Sequence, residues 1–210
     1  GLANAGLWLK PEEITAELGE DAGRALIARL AEAPTTVFGL IEREAIDCEA
    51  RRAGTLHCAH APAGMDDLRE RLRQGLAAGA PLELLDAETA RARTGSTAVH
   101  GALFDPRAGT VQPLAYCRGL ARAARDAGAA VFEDSPVTAL TREGDTWLVS
   151  CNGRTVRAGA LLMATNAYPL RLDGAPGPAY VPVHYGQFAT VPMPEPLRDR
   201  ILPGGEEFRS

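Results

Sequence analysis

Two imidazoles and a thiol stand within four residues at His57-Cys58-Ala59-His60, where metal-ligating side chains crowd together. On a strand, side chains three positions apart point to opposite faces, so His57 and His60 diverge, and no further ligands follow at a zinc-like spacing. The set reads as half-exposed strand residues, and no metal site is expected. No Ser/His/Asp or Cys/His nucleophilic set can be assembled without assuming proximity. Two other stretches could do chemistry. Thr165-Asn166-Ala167 follows an apolar run, where Asn166 either caps a turn or faces a ligand at a strand end. His184-Tyr185-Gly186-Gln187 lies on a mixed strand-like run, where His184 and Tyr185 serve either packing or substrate contact. The glycines of Gly1-Leu2-Ala3-Asn4-Ala5-Gly6 are five apart but no Lys-Ser or Lys-Thr follows, so this is no Walker phosphate loop. No GxGxxG occurs anywhere in the 210 residues.

The charge balance narrows the partners. Lys+Arg number 22 against 27 Asp+Glu, a net charge of -5, which leaves no electrostatic footprint for nucleic acid or an anionic membrane. No run of 18 apolar residues is present and the first residues lack the order of a secretory signal. The expectation is a soluble cytoplasmic protein whose small-molecule partners matter more than polymers, with its oligomeric state left open. Cys48, Cys58, Cys117 and Cys151 lie at irregular separations without a CxxC pair, so free thiols are expected. A start without Met and an end at Glu206-Glu207-Phe208-Arg209-Ser210 suggest a piece of a longer protein. Gly1 to Trp8 then reads as an untethered terminus.

The elements that must position these residues alternate between helix and strand. Pro11 to Glu44 keeps apolar spacings of three and four, which predicts two helices joined near Pro34. Gly54–Ala59 is a short strand, Asp66–Ala78 a helix capped by Asp66, and Pro81–Leu85 a strand before a helix capped by Asp86. Val99–Phe104 is a further strand and Asp105-Pro106-Arg107 a structural turn. Gln112–Ala127 is an amphipathic helix with Leu114, Cys117, Leu120, Ala121 and Ala124 on one stripe, ended by Gly128. Ala129–Glu133 is a short apolar strand. Val137–Arg142, Thr146–Cys151 and Thr155–Arg157 form a meander turning at Gly144 and Asn152-Gly153. Ala158–Ala164 reads as a strand covered on both faces in a parallel sheet, and Tyr180–Val191 as an edge or crossover strand. A helix ending in glycine, a buried strand, a meander and another buried strand make half of a doubly wound dinucleotide-binding domain.

Several ordered motifs resemble one family. They are Gly1-Leu2-Ala3-Asn4-Ala5-Gly6-Leu7-Trp8, Gly101-Ala102-Leu103-Phe104-Asp105-Pro106 through Pro113, Gly119-Leu120-Ala121-Arg122, Gly128 through Val137, and Ala164-Thr165-Asn166-Ala167-Tyr168. Together they are similar to the FAD-dependent D-amino-acid oxidase family, near its glycine oxidase, sarcosine oxidase and gamma-glutamylputrescine oxidoreductase branches. The resemblance implies an α/β chain, α+β in its two-part layout: a partial FAD-binding doubly wound domain plus a mostly antiparallel substrate-domain sheet. It divides the chain into a helical segment at 1–50, substrate-domain parts at 51–110 and 173–210, and an FAD-domain portion at 111–172.

The same resemblance implies roles for individual residues. Asn4, Ala5 and Gly6 match a loop whose backbone approaches the flavin ring. Val137 matches the position whose main chain meets the adenine, and Ala164, Thr165, Asn166 and Ala167 match the strand end beside the pyrophosphate and flavin. His184, Tyr185 and Gln187 fall on the substrate side. The implied activity is oxidation of the C–N bond of a small amine or amino acid with hydride transfer to FAD, without an assigned catalytic base. FAD binding by these 210 residues alone is expected to be weak or absent, because the phosphate fingerprint is missing. The alternative is a catalytically inactive remnant that packs against or binds a partner.

Overall fold

The computed structural model describes residues 1–166, 183 and 191–209. In chain order its elements are β1 (Leu2–Ala3), α1 (Pro11–Leu18), α2 (Glu20–Arg43), β2 (Thr55–Ala59), α3 (Gly64–Ala77), β3 (Glu83–Leu85), α4 (Ala87–Thr94), β4 (Gly101–Asp105), β5 (Gly109–Thr110), α5 (Pro113–Asp126), β6 (Val137–Glu143), β7 (Thr146–Cys151), β8 (Arg154–Ala158), α6 (Glu195–Arg198) and β9 (Glu207–Arg209). Helices mix with largely antiparallel sheets, the α+β side of the expected two-part layout. The chain divides into two compact units, Gly1–Ala129 with Val191–Ser210, and Ala130–Thr190.

In the larger unit the first helical break falls at Gly19, not at Pro34. Gly19 takes φ 81°, a conformation that ends α1 and that side-chain-bearing residues rarely adopt. α2 then runs unbroken through a buried Pro34. Proline removes the N–H that would bond the carbonyl four residues back. That carbonyl, on Leu30, accepts instead from the Gly6 N–H at 3.4 Å, so the missing helix bond is replaced by a tie to the N-terminal loop. Gly23 lets α1 cross α2 closely, because a Cβ there would lie 2.8 Å from the Thr15 Cα.

Two helix starts, those of α4 and α5, follow side-chain capping chemistry. Asp86 Oδ1 accepts the Thr89 N–H at 2.8 Å, which holds that carboxyl below its ordinary range, and Gln112 Oε1 accepts the Ala115 N–H at 2.6 Å. Gly128, at φ 95°, follows α5 as expected. Asp66 is not a cap: α3 begins two residues earlier, and the Asp66 carboxylate pairs with Arg69 at 2.6 Å.

The main sheet has the order β3-β4-β2-β9. β4 is antiparallel to β2 and β3, and β9 lies parallel to β2 with Leu56 opposite Phe208. Both faces of β2 are buried. Strand alternation sends Leu56, Cys58 and Ala102 into a cluster with Leu85, Ala90 of α4 and Val99. The opposite face puts Ala59 and Leu103 against Leu68, Met65 and Leu72 of α3. β9 is absent from the sequence expectation because a three-residue, charge-flanked segment carries no alternation to detect. Tyr180–Val191, expected in this sheet, lies outside the described residues apart from its exposed Val183 and Val191.

A second core joins Ala3 of β1, Phe38 and Ile41 of α2, and Ile46 and Cys48 to Ala115, Tyr116 and Leu120 of α5. α5 thus turns a different face inward from the stripe drawn from its sequence. Gly119 is buried against Ile46, while Leu114 is 55% exposed and Cys117 is exposed. Period alone locates an apolar stripe but not the neighbour that covers it.

The smaller unit contains the meander β6-β7-β8 with the expected turns. Asn152 and Gly153 both have positive φ, 49° and 70°, as a two-residue hairpin of the primed type demands. Ala129–Glu133 and residues 159–164, the rest of the run expected as a second strand, form no strand. Leu162 is 88% exposed. A buried parallel strand needs a ladder neighbour on at least one side and cover on both faces, and the described residues supply neither to this run.

These contrasts set a test of the core. Leu56→Ala should lower the unfolding free energy of the chain by about 2–5 kcal/mol, and Leu162→Ala should change it by less than about 0.5 kcal/mol. Denaturant titration of both variants measures the difference.

Candidate functional site

The N-terminal segment is anchored, contrary to its reading as an untethered terminus. Leu2 pairs with Thr110 and Ala3 with Gly109. The Gly1 ammonium donates to the Val111 carbonyl at 2.6 Å, and the Val111 N–H returns a bond to the Gly1 carbonyl at 2.9 Å. Gly109 is required by close approach, since a Cβ there would lie 2.7 Å from Phe38 Cζ. The turn Asn4-Ala5-Gly6 follows directly on this ladder. Asn4 Oδ1 is buried and has no hydrogen-bond partner among the described residues. Gly6 has φ 89° and open space where a Cβ would stand, and its N–H is held by Leu30 as described above.

Beyond this turn lies a pocket of about 120 Å³ bounded by Ala5, Gly6, α1, α2, α3 and the α3-facing side of the sheet. Strand alternation explains which residues reach it: His57, Leu103 and Asp105 share one face of β2 and β4. His57 is buried, not half-exposed, and its ring meets that of Trp8 at a centroid distance of 5.1 Å. The Arg71 guanidinium lies 5.4 Å from the Trp8 ring and donates from Nη1 to the Trp8 carbonyl at 2.9 Å. Asp67, one turn before Arg71 on α3, accepts from Arg71 Nε at 2.6 Å and pairs with Lys10 Nζ at 2.8 Å. The Lys10 bond, then Arg71, hold the Asp67 carboxyl below its ordinary range although partial burial opposes them, and the same bond raises Lys10.

On the sheet side, buried Asp105 receives a two-pronged bond from Arg107, 2.9 Å from Nε and 2.6 Å from Nη2. The stretch read as a structural turn therefore also places a guanidinium at the pocket. Sequence reasoning missed Lys10, Arg71, Asp105 and Arg107. The i,i+4 pair of Asp67 and Arg71 on a helix was the legible signal, but nothing in sequence says that it faces Trp8. Elsewhere burial pushes the Cys58 thiol up to about 11, which makes it an inert core residue, and among the described residues no three His, Cys, Asp or Glu gather as a metal would require.

The remaining expected site residues belong to the smaller unit or lie outside the description. Val137 opens β6 beside an irregular register between Val137 and Ala139. Ala164 and Asn166 are exposed and Thr165 is half-buried, and Asn166 forms a turn with φ 51°, a left-handed conformation that asparagine tolerates. Ala167, His184, Tyr185 and Gln187 fall outside the described residues. The structure thus gathers Asn4, Ala5 and Gly6 in one turn and keeps Val137 and 164–166 in a separate unit.

A family model described as FAD dependent oxidoreductase, DAO, matches residues 2–208. The chain belongs to that family. It is 28% identical over 200 residues to OrdL of Haemophilus influenzae, described as a probable oxidoreductase, covering 92% of this chain and 46% of that protein. It is 32% identical over 151 residues to the gamma-glutamylputrescine oxidoreductase of Escherichia coli, covering 71% of this chain and 35% of that protein. Glycine oxidase from Geobacillus kaustophilus superposes with a TM-score of 0.58 at 25% identity, over 76% of this chain and 42% of that one. L-proline dehydrogenase from P. horikoshii shares the fold at a TM-score of 0.58 and 19% identity, over 66% of this chain and 38% of that one. The chain therefore spans less than half the length of these relatives.

The family's cofactor can be tested against the residues present. The turn at Asn4–Gly6 fits a flavin: it offers a buried amide oxygen without a partner among the described residues, a backbone free of side chains at Gly6, and open space beside that glycine. A pyrophosphate needs backbone N–H groups at a glycine turn and helix N-terminus, and these 210 residues contain no GxGxxG to supply it.

Two variants probe this geometry. Pro34→Ala gives Leu30 its helical donor back, so the Gly6 amide should lose its acceptor. Its hydrogen exchange should quicken by roughly two- to tenfold, the worth of a bond of about 0.5–1.5 kcal/mol, with α2 retained. For Asp67 the folded value is depressed, so its contribution is full above the ordinary carboxylate range and is lost as pH falls through the lower folded value. Asp67→Asn should be less stable near neutrality and show a shallower loss on acidification, read from melting temperatures across pH.

Proposed function

We propose that this chain forms the central part of a cytoplasmic flavoenzyme that oxidises the C–N bond of a small amine or amino acid. The observation that carries the reading is the Asn4-Ala5-Gly6 turn, whose buried acceptor and open glycine suit the edge of a flat, hydrogen-bonding ring. Membership of the family and likeness to proteins named glycine oxidase and gamma-glutamylputrescine oxidoreductase support it. FAD, when bound, supplies the hydride acceptor. In this reading Asn4, Ala5 and Gly6 border the ring, and the Val137 main chain meets the adenine. Ala164, Thr165, Asn166 and Ala167 form the strand end beside the pyrophosphate. His184, Tyr185 and Gln187 face substrate. The protein's part is to orient the α-carbon and favour the neutral amine, and no side chain is assigned as a base. Residues 111–172 contribute to the FAD-binding domain and 51–110 with 173–210 to the substrate domain.

The second reading, an inactive remnant that only binds a partner, draws on the missing phosphate fingerprint. One experiment separates the two. FAD added to the 210-residue chain should bind weakly or not at all, and a product translated with its flanking reading frame should be yellow. In that longer product Ala167→Trp should abolish flavin retention. Tyr185→Phe and Gln187→Ala should keep the colour and alter amine turnover. A folded but colourless longer product would establish the remnant instead, and equal flavin content in all three variants would remove 164–167 from the cofactor site.

A further inference from the structure

Proline is the least favourable residue for a helix interior, and β-branched residues lose side-chain freedom there. Yet α2 carries Ala33-Pro34-Thr35-Thr36-Val37 inside its span and stays helical throughout. Packing holds what local propensity opposes. Pro34 is fully buried, and Val37 and Phe38 meet the second core. Arg52 Nη2 donates to Thr35 Oγ1 at 2.8 Å, while its guanidinium lies 5.6 Å from the Phe38 ring. A local conflict of this kind marks a place where a functional need outweighs propensity.

That need lies in the N-terminal turn. Each helical carbonyl is ordinarily taken by the amide four residues on. Pro34 withholds that amide from Leu30, and the Gly6 N–H takes the carbonyl at 3.4 Å. Nothing lies within 4 Å of where a Gly6 Cβ would stand, so side-chain packing does not hold this residue. The same helix holds the other end of the segment, with Phe38 and Ile41 against Ala3. α2 therefore grips residue 3 through its side chains and residue 6 through the Leu30 carbonyl, with Asn4 and Ala5 between them.

We propose that Pro34 is a positioning residue for the cofactor: by withholding one helical donor it fixes the Asn4-Ala5-Gly6 turn before FAD arrives. The inference rests on the reading that this turn borders the flavin ring, and adds to it a residue that acts only through Leu30 and Gly6. A turn already held in place spares the ligand the cost of ordering it, so loss of the tie reads as weaker FAD binding and not as misfolding. The register of the proline is decisive. The carbonyl it frees is the one four residues back, so a proline at 34 frees Leu30, and one at 33 would free Arg29.

Two proline variants and two controls test this. Pro34→Ala restores the helical donor, and Ala33→Pro combined with Pro34→Ala keeps a proline in α2 but frees the wrong carbonyl. Both should quicken Gly6 amide exchange in the 210-residue chain. Both should also raise the FAD dissociation constant, titrated on the product translated with its flanking reading frame, by roughly two- to tenfold. Gly39→Ala, at an exposed position of α2 with open space for a Cβ, strengthens the same helix. Val99→Ala, in the core on the sheet face away from α3, weakens the fold. Neither control should move Gly6 exchange or FAD affinity, and together they bracket whatever Pro34→Ala does to the melting temperature. Pro34→Ala against these controls decides the matter if the double variant does not fold. Unchanged Gly6 exchange or FAD affinity in Pro34→Ala, equal changes in either control, or wild-type FAD affinity in the double variant would each overturn the proposal. A colourless wild-type longer product would overturn the flavin reading and this inference with it, and Gly6 exchange measured without flavin tells the two failures apart.

Discussion

β2 is the constraint on which the larger unit depends. It is buried on both faces and hydrogen-bonded on both edges, antiparallel to β4 and parallel to β9. A strand in that position has no freedom of register, because a slip of one residue would send Leu56 and Cys58 to the face that holds His57 and Ala59. The fixed register puts one alternate set into the aliphatic core with α4 and the other toward α3. His57, Leu103 and Asp105 reach the pocket as a consequence of this alternation, and the placement of Trp8 over His57 follows from it.

Around that fixed face the polar groups are held by pairing. Asp105 is buried, and the two bonds from Arg107 satisfy both its oxygens. Removing either partner alone would leave an uncompensated charge, which costs far more than the pair contributes as a whole. Asp67 works differently: its side chain is 41% exposed, so it serves to orient Lys10 and Arg71 more than to stabilise the fold. α1 and α3 are joined by a similar device. The buried Gln74 amide accepts the Glu12 N–H at 3.0 Å and donates to Glu12 and Glu70 at 3.1 and 2.6 Å, so its polar atoms are satisfied where water is excluded.

The N-terminal turn is held from two sides. The β1–β5 ladder fixes where it begins, and the carbonyl freed by Pro34 fixes Gly6. A proline that would break an exposed helix here has a structural use, since the acceptor it releases is the one the turn requires. Asn4 is then left with a buried oxygen that meets no donor among the described residues, the kind of polar group that folded proteins seldom tolerate without a partner.

The sequence by itself determined the local elements whose causes are local. Asp86 and Gln112 cap their helices through their own side chains, Asn152-Gly153 turns a hairpin because both residues accept positive φ, and the alternation at Thr55–Ala59 marks a strand. The ordered glycine and Asn-Ala-Gly motifs also carried the family, which the match over residues 2–208 bears out. Tertiary structure decided what depends on neighbours. Leu114 and Cys117 are exposed because Ile46 packs on Gly119 and not on their stripe. The apolar run after Ala158 stays out of any sheet because a strand exists only where another strand pairs with it, and hydrophobicity cannot supply that partner. Lys10, Arg71, Asp105 and Arg107, scattered over nearly a hundred positions, form one pocket because the register of β2 and β4 and the docking of α3 bring them together, and such long-range juxtaposition leaves no periodic trace in the chain.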